Sequence, residues 1–137
     1  MEIEYVDGFP QPYAQMDAAP YWQACARGEL TYQHCTGCGA VVWPARSFCP
    51  ECDGEALEWR RSSGKGRIYS HSTVGRGPTP AWQAIAPYTV GFVEMDEGYF
   101  LFTQFEDAPE ELAIGKPVKV RFIKRGEQTL PVFVAAT

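Results

Sequence analysis

Four cysteines form two closely spaced pairs, and their spacing is the strongest chemical signal in the chain. Cys35 and Cys38 are separated by two residues, ten residues follow, and Cys49 and Cys52 repeat the first spacing. Thiolates three positions apart on a tight turn can bind one tetrahedral ion, with zinc–sulfur distances of ~2.3 Å. The two pairs therefore predict one zinc ion, bound by Cys35, Cys38, Cys49 and Cys52.

All ligands of this predicted site are cysteines, which decides the kind of zinc chemistry. No coordination position remains for water or substrate, and a closed site of this kind is structural, not catalytic. The expected role of the ion is to organise a ribbon that is too small to bury a core of its own. Small or rigid residues beside the pairs let backbone amides approach the sulfur atoms, namely Gly37, Gly39, Pro50 and Gly54.

The other polar residues do not form a recognisable catalytic set. Of the two histidines, His34 adjoins a zinc ligand and His71 lies in the middle of a predicted strand. The sequence shows no carboxylate pair, phosphate-binding glycine loop or nucleophile elbow. Serines close to His71 do not make a triad by adjacency alone. We therefore predict no catalytic residue in this chain.

A set of basic residues flanks the predicted ribbon, and the sequence leaves two interpretations of it open. The bases are solvated and partly balance the negative zinc–tetrathiolate centre, or they form a clamp for a phosphorylated ligand such as coenzyme A. Under the second interpretation, the candidate acyl-CoA-binding residues are Arg46, Arg60, Arg61, Lys65 and Arg67.

Length and composition limit the class of protein. The chain has 137 residues, of which 45% are hydrophobic and 21% charged, as in an ordinary globular domain. Its formal charge of -5 disfavours general binding to nucleic acid. No apolar run approaches the roughly 18 residues of a membrane span, and the acidic N-terminus lacks the features of a signal peptide. The paired cysteines favour metal binding in a reducing compartment over disulfide bonds. Together these features predict a cytoplasmic protein.

The charge is distributed unevenly along the chain. Residues 1–45 carry a net charge of -4, residues 46–76 of +2, residues 77–115 of -7 and residues 116–137 of +4. The third of these segments contains seven acids and no base. Two interpretations of this distribution remain open. Either it orients a charged ligand or partner, or each charged segment is simply a solvated face.

An arm and a short helix precede the cysteine pairs. Residues 1–16 predict an extended arm, whose aromatic side chains we expect to lie against the rest of the chain or another subunit. Asp17 is expected to cap a helix over residues 18–27, which Gly28 ends. Cys25 in this helix is interpreted as a small core residue. The candidate partner-docking residues, in the arm and in the loop at 76–87, are Tyr5, Phe9, Tyr13 and Trp82.

Strand signals follow in two groups, with a hinge predicted between them at Gly64 and Gly66. In the ribbon, strands are predicted at 30–33, 41–43 and 57–61. Five further segments rich in β-branched and aromatic residues predict strands at 67–75, 88–95, 99–105, 118–124 and 132–135. Because three prolines lie in the stretch 76–87, it is predicted to be a loop. Five short strands with one long loop after the first favour a small barrel of the OB type, with a five-stranded sandwich as the alternative.

The order of these signals resembles the DUF35 family, described as acyl-CoA-associated proteins with a rubredoxin-like zinc ribbon followed by an OB-fold. The resemblance extends from about residue 17 to the end, and Ala45 departs from it where relatives often have proline. It implies a mainly β fold: arm and helix at 1–30, zinc ribbon at 31–64 and a five-stranded OB-fold barrel at 65–137. The motifs that carry it include Gly28-Glu29-Leu30, Cys35-Thr36-Gly37-Cys38-Gly39, Cys49-Pro50-Glu51-Cys52, Glu58-Trp59, Ser63-Gly64-Lys65-Gly66 and Ile114-Gly115-Lys116-Pro117-Val118.

The same resemblance implies a function. Members of the family are similar to small partner subunits of thiolase-superfamily enzymes that act on CoA thioesters. This chain is then expected to be a non-catalytic subunit that supports a thiolase-like acyltransferase, thiolase or retro-aldolase and helps to hold the acyl-CoA. Two alternatives remain: a free-standing acyl-CoA-binding protein, and a nucleic-acid-binding ribbon and OB module, which the net charge disfavours.

Overall fold

The computed structural model describes residues 17–125 and 128–136 in full. It also describes the backbone of two short antiparallel strands, β1 (Tyr5–Val6) and β2 (Phe9–Pro10). Apart from that backbone, the predicted arm at 1–16 lies outside the described residues. The docking roles predicted for the side chains of Tyr5, Phe9 and Tyr13 lie outside them as well. In the described part of the chain, no helix has the length and apolar character needed to cross a membrane.

Helix α1 spans Ala19–Ala26, close to the predicted 18–27. The residue that caps it is Ala18, and no side chain accepts a hydrogen bond from the first turn, so the predicted cap by Asp17 is wrong. The predicted end is confirmed, because Gly28 has a φ of +77°, a left-handed conformation that glycine adopts without strain.

Three short antiparallel strands follow and form the ribbon sheet. They are β3 (Thr31–Cys35), β4 (Val41–Val42) and β5 (Leu57–Arg61), arranged in the order β4–β3–β5. The bounds of β5 are those predicted, and β3 begins one residue later and ends two residues later than expected. Pairing on both sides of β3 fixes Cys35, its last residue, at the start of the first cysteine turn.

Five longer strands close into a barrel. They are β6 (Lys65–Val74), β7 (Tyr88–Met95), β8 (Phe100–Phe105), β9 (Pro117–Arg125) and β10 (Gln128–Ala135). Their order around the barrel is β10–β8–β7–β6–β9, and neighbours are antiparallel except β8 and β10. This is a closed five-stranded barrel of the OB type, which confirms the predicted class and excludes the sandwich.

A helix lies in the segment that the prolines predicted to be a loop. Helix α2 spans Pro80–Ile85, so the prediction for 76–87 is wrong at these residues. Thr79 caps the helix, and its hydroxyl oxygen accepts a hydrogen bond from the Trp82 amide at 3.4 Å. Pro80 lies at the start of the helix, where its missing N–H costs no intrahelical hydrogen bond. A proline can thus begin a helix as well as interrupt one.

Two glycines close the junction between ribbon and barrel. Gly64 has a φ of +76°, and a Cβ there would lie 2.6 Å from Val120 Cγ1. Gly66 lies inside β6, where a Cβ would lie 2.5 Å from the carbonyl oxygen of Glu94. Both glycines therefore permit a close approach between chain segments, and the hinge at this point stays a prediction.

One hydrophobic core joins the helix, the ribbon and the barrel. Cys25 of α1 and Tyr32 of β3 belong to the same buried cluster as Leu101 and Phe133 of the barrel. Burial raises the pKa of the Cys25 thiol to about 11, in agreement with its predicted role as a core residue. A separate and much smaller cluster lies at the cysteine turns and consists of Cys35, Val42 and Cys49, with Ala40 and Leu57 packed against it.

Candidate functional site

Two turns with the same hydrogen-bond pattern carry the cysteine pairs. In each, the amide of the first cysteine donates to the carbonyl five residues later, at 2.9 Å for Cys35 and 2.8 Å for Cys49. The amide four residues later donates back to the carbonyl of that cysteine at 2.8 Å in both turns. The donors of this return bond, Gly39 and Asp53, have positive φ values of 81° and 61°. The repeat in the sequence is therefore also a repeat in the backbone.

The cysteine sulfur atoms lie close together, all within 4.8 Å of one another. The Sγ atoms of Cys35 and Cys52 are 3.7 Å apart, and those of Cys38 and Cys49 are 3.6 Å apart. A tetrahedral site with zinc–sulfur bonds of ~2.3 Å has sulfur–sulfur distances of about 3.8 Å. Each short distance joins one turn to the other, so the four cysteines are positioned to bind a single metal ion.

The backbone around the sulfur atoms is suited to thiolates. A Cβ at Gly54 would lie 3.2 Å from Cys52 Sγ, and one at Gly37 would lie 3.6 Å from Cys35 Sγ. The amide of Cys38 lowers the pKa of the Cys35 thiol to about 7, although burial opposes this effect. The amides of Ala40 and Gly54 likewise lower the pKa of Cys38 and Cys52, but contacts with neighbouring thiols and burial outweigh them, and the pKa of both is raised. One cysteine of each pair is buried and the other is exposed, which places the centre at the surface of the ribbon.

Side chains of β3 hold the rest of the ribbon in place. The side chain of buried Gln33 makes two hydrogen bonds to the backbone of Arg46: Oε1 accepts from the amide at 2.8 Å, and Nε2 donates to the carbonyl at 2.9 Å. Next to it, His34 Nδ1 lies 4.0 Å from Glu58 Oε1. The clamp by Gln33 fixes the segment between β4 and the second cysteine turn.

The structure places the candidate acyl-CoA-binding residues, all of them exposed, in two regions. Arg46, Arg60 and Arg61 lie on the ribbon, and the last two extend to opposite faces of β5 because successive side chains of a strand alternate. Lys65 and Arg67 are two positions apart in β6 and share the outer face of the barrel.

A lysine that the sequence analysis did not single out lies beside this second group. Lys119 of β9 is directly opposite Lys65, and Arg67 is opposite Pro117 in the same pairing. Like charges directly opposite on antiparallel strands repel, so an anion between them would relieve the repulsion. We call Lys65, Arg67 and Lys119 the basic face. The net charge of +4 in residues 116–137 was the available signal, but the sequence does not reveal which strand pairs with β6.

The outer surface of β7 and β8 has the opposite character. Phe92 and Phe102 are directly opposite each other and pack edge to face, with ring centroids 5.2 Å apart. Tyr69 of β6 and Phe100 form a second such pair at 4.8 Å. We call these four side chains, which are 42–60% exposed, the aromatic face. Alternation along β8, which puts Phe100 and Phe102 on one side of the strand, was the sequence signal for it.

A largely apolar cavity of about 440 Å³ adjoins the aromatic face. It lies between α1, the segment after β4 and the barrel, and both Phe102 and Trp82 line it. Trp82 is half-buried: its ring packs against Tyr88 at 5.0 Å, and the guanidinium of Arg125 lies 5.3 Å from its centroid. The docking role of Trp82 stays a prediction, and the structure places this residue in the wall of the cavity.

Comparison with protein families yields two adjacent matches, which together cover residues 22–122. Residues 22–58 match the family described as the rubredoxin-like zinc ribbon domain of ChsH2. Residues 59–122 match the C-terminal OB-fold domain of ChsH2. The first match contains the four cysteines, and the second contains the aromatic face and the basic face.

Three relatives from different organisms extend the comparison. A DUF35 domain-containing scaffold protein of Methanothermobacter thermautotrophicus is 41% identical over 104 residues, which cover 74% of this chain and 77% of that protein. A probable enoyl-CoA hydratase alpha subunit of Thermomonospora curvata is 32% identical over 90% of this chain, but the match spans only 39% of its own length. The benzoylsuccinyl-CoA thiolase subunit BbsA of Thauera aromatica is 33% identical over 64% of this chain and 60% of its own.

Solved structures agree with the fold. A chain of the Ltp2-ChsH2(DUF35) aldolase superimposes with a TM-score of 0.84 and 32% identity, covering 93% of this chain and all of that one. A DUF35 protein of unknown function from Sulfolobus solfataricus superimposes with a TM-score of 0.65 at 13% identity, which supports the fold alone.

Proposed function

Because this chain belongs to the DUF35 family, we propose that it is a non-catalytic cytoplasmic subunit that binds and supports a thiolase-like acyl-CoA enzyme. The observation that carries this proposal is the match of 93% of the chain, at 32% identity, to a chain of an aldolase complex. A relative described as a thiolase subunit supports the same assignment. The chemistry then belongs to the partner, in keeping with a sequence that offers no catalytic set.

The metal of the four-cysteine centre is proposed to be zinc with a structural role. Four thiolates satisfy a tetrahedral ion completely, so no position is left for a substrate oxygen. The cluster beneath the centre contains three buried residues, Cys35, Val42 and Cys49, and is too small to hold the turns by apolar burial alone. The ion would thus maintain the shape of the ribbon.

A contribution to acyl-CoA binding is the finer part of the proposal. Of the candidate residues, Lys65 and Arg67 support it best, because together with Lys119 they form a cationic surface for phosphate groups. Replacing Lys65 and Lys119 by glutamine should raise the KM for acyl-CoA of the assembled enzyme and leave kcat nearly unchanged. The matched variant Arg60→Gln changes an exposed base of the ribbon. A rise in KM in that variant alone would move the site to the ribbon.

Purification of the tagged chain from its native host tests the subunit role. The expected result is a stoichiometric companion that mass spectrometry identifies as a member of the thiolase superfamily. Separate expression of that companion then permits an activity assay with and without this chain, and activity should require both. If the chain purifies alone with bound acyl-CoA, it is a free-standing binding protein and the proposed function is wrong.

A further inference from the structure

We propose that the aromatic face is the surface on which the catalytic subunit docks, and that the partner covers it with an apolar patch that presents a lysine or arginine to Glu94. This inference rests on the proposed function, because it names the part of this chain that the same partner occupies. Its basis is the shape, continuity and charge of one side of the barrel.

Contiguity distinguishes the aromatic face from ordinary exposed hydrophobic residues. Single exposed apolar side chains are normal on a soluble domain, whereas contiguous patches mark interaction surfaces. Here two edge-to-face pairs lie on three neighbouring strands, with Phe102 60% exposed and Tyr69 56% exposed. Aromatic side chains are also the residues that most often anchor protein interfaces.

The cavity extends this face with a recess. Phe102 belongs to both, so the apolar surface continues from the exposed rings into a space of about 440 Å³. Much of the wall of the recess is aromatic, with Trp22, Trp43 and Trp82 among its residues. Binding energy at an interface is concentrated where one side chain fills a dry pocket, and this recess can take such an anchor from the partner.

One charged residue at the aromatic face indicates which charge the partner presents there. Glu94 extends from the outer face of β7 and is directly opposite Phe100. Among the described residues, its carboxylate makes no hydrogen bond or ion pair. On the other neighbouring strand, β6, Arg67 is opposite Glu94. Its guanidinium, however, donates a hydrogen bond to the Gly115 carbonyl at 3.1 Å, towards β9. This carboxylate is complementary to a lysine or arginine of the partner.

Single-stranded nucleic acid is the other ligand that an aromatic OB surface suggests. OB barrels bind oligonucleotides on their second and third strands, here β7 and β8, and exposed rings stack on bases. Such binding also needs cations that follow the phosphates, yet residues 77–115 contain seven acids and no base. Strands β7 and β8 themselves contain no lysine or arginine, and the nearest cations of the basic face, Lys65 and Arg67, lie on the neighbouring strand β6. Charge therefore favours a protein partner.

Binding of purified variants to the separately expressed catalytic subunit tests the docking surface. The double variant Phe92→Ser, Phe102→Ser should weaken the affinity by more than roughly 30-fold, the effect of losing an interface anchor. Glu94→Lys should weaken it by roughly 3- to 10-fold and reduce its dependence on salt. Phe48→Ser removes a ring that is 55% exposed on the ribbon and should leave the affinity unchanged. Zinc content and circular dichroism verify the fold of each variant.

The outcomes separate this inference from the function on which it rests. If the wild-type chain binds the catalytic subunit and the double variant and Glu94→Lys bind equally well, the docking surface is wrong and the subunit role stands. If the wild-type chain does not bind the subunit at all, the proposed function fails. Tight, salt-sensitive binding of an oligothymidylate that is lost in the double variant would make this face a nucleic-acid platform and overturn the docking proposal. Should the double variant fail to fold, Glu94→Lys tests the same face through a side chain that supports no described contact.

Discussion

Different forces stabilise the barrel and the ribbon tip, which is the end of the ribbon that carries the two cysteine turns. The barrel closes its sheet around large buried side chains such as Ile68, Met95 and Phe133. At the tip, by contrast, the buried cluster consists of three residues, and two of them are the cysteines Cys35 and Cys49. Apolar burial contributes in proportion to area, so the barrel can be stable through its core whereas the tip depends on its metal. The two regions should therefore respond to different perturbations.

Removal of one metal ligand should have the largest effect. Cys38→Ala leaves three thiolates, and the apparent binding energy of a structural zinc site is ~10–16 kcal/mol. We expect the ribbon tip to unfold and the protein to lose its metal, while much of the β signal in circular dichroism remains. Cys25→Ala is the control, because this buried cysteine lies in α1 and should leave the metal content at one ion. Complete loss of the spectrum, or no change in it, would contradict a difference between tip and barrel.

A cavity in the barrel tests the other side of the comparison. Phe133 is fully buried, and Phe133→Ala should lower the free energy of unfolding by about 3–5 kcal/mol. Chemical denaturation measures this loss, and metal analysis under native conditions should still find one zinc ion per chain. Phe48→Ala, at a ring that is 55% exposed, should change the stability by no more than about 0.5 kcal/mol. Loss of zinc from Phe133→Ala before the barrel unfolds would mean that the centre depends on the barrel core.

A smaller effect is expected from the backbone of the second cysteine turn. Asp53 has a φ of +61° at the position where the first turn has Gly39. Asp53→Val should destabilise the ribbon by about 1–2 kcal/mol, since β-branched residues resist this conformation. Asp53→Gly should be nearly neutral, and competition with a zinc chelator compares the two variants. Equal zinc affinity in both would show that this residue is not strained.

The smallest expected effect is a dependence on pH at the junction of the two regions. Glu97 accepts hydrogen bonds from Ser62 Oγ at 2.6 Å and from the Ser63 amide at 2.9 Å. Burial raises the pKa of its carboxyl group, but these bonds outweigh it and the pKa lies below its ordinary value. The stabilisation is therefore complete above the unfolded-state pKa of ~4.3 and disappears as the pH falls through the lower folded-state value.

The variant Glu97→Gln isolates this contribution. It should be less stable than the wild type at pH 7, and the difference should vanish in acid, where the glutamate is protonated. The urea midpoints of both proteins, measured from pH 7 into acid, give this difference. Loss of zinc in acid affects both proteins alike and therefore does not contribute to it. A difference that is independent of pH would assign the effect to packing and not to charge.

Local patterns determined which parts of the structure the sequence could predict. The cysteine pairs and the strand at 57–61 depend on spacing and alternation within a few residues, and the structure has them where they were expected. Helix α2 was missed because a proline-rich segment predicts a loop unless the cap by Thr79 is recognised. Lys119 was missed for a different reason, since its place opposite Lys65 arises from pairing between strands that are distant in sequence. Long-range pairing of this kind has no signature in a single sequence.

The aromatic residues between ribbon and barrel have a consequence for protein engineering. Tyr99 of the barrel stacks on Tyr32 at 5.3 Å and packs against Trp43 at 5.7 Å, and Trp43 packs in turn on Tyr21 at 4.8 Å. A chimaera that takes its ribbon from a relative and its barrel from this chain would cut through these contacts, whose energies are not independent. Residues 21, 32, 43 and 99 must therefore be transferred as a set. The ribbon therefore cannot be exchanged as an independent unit, although its four metal ligands all lie within it.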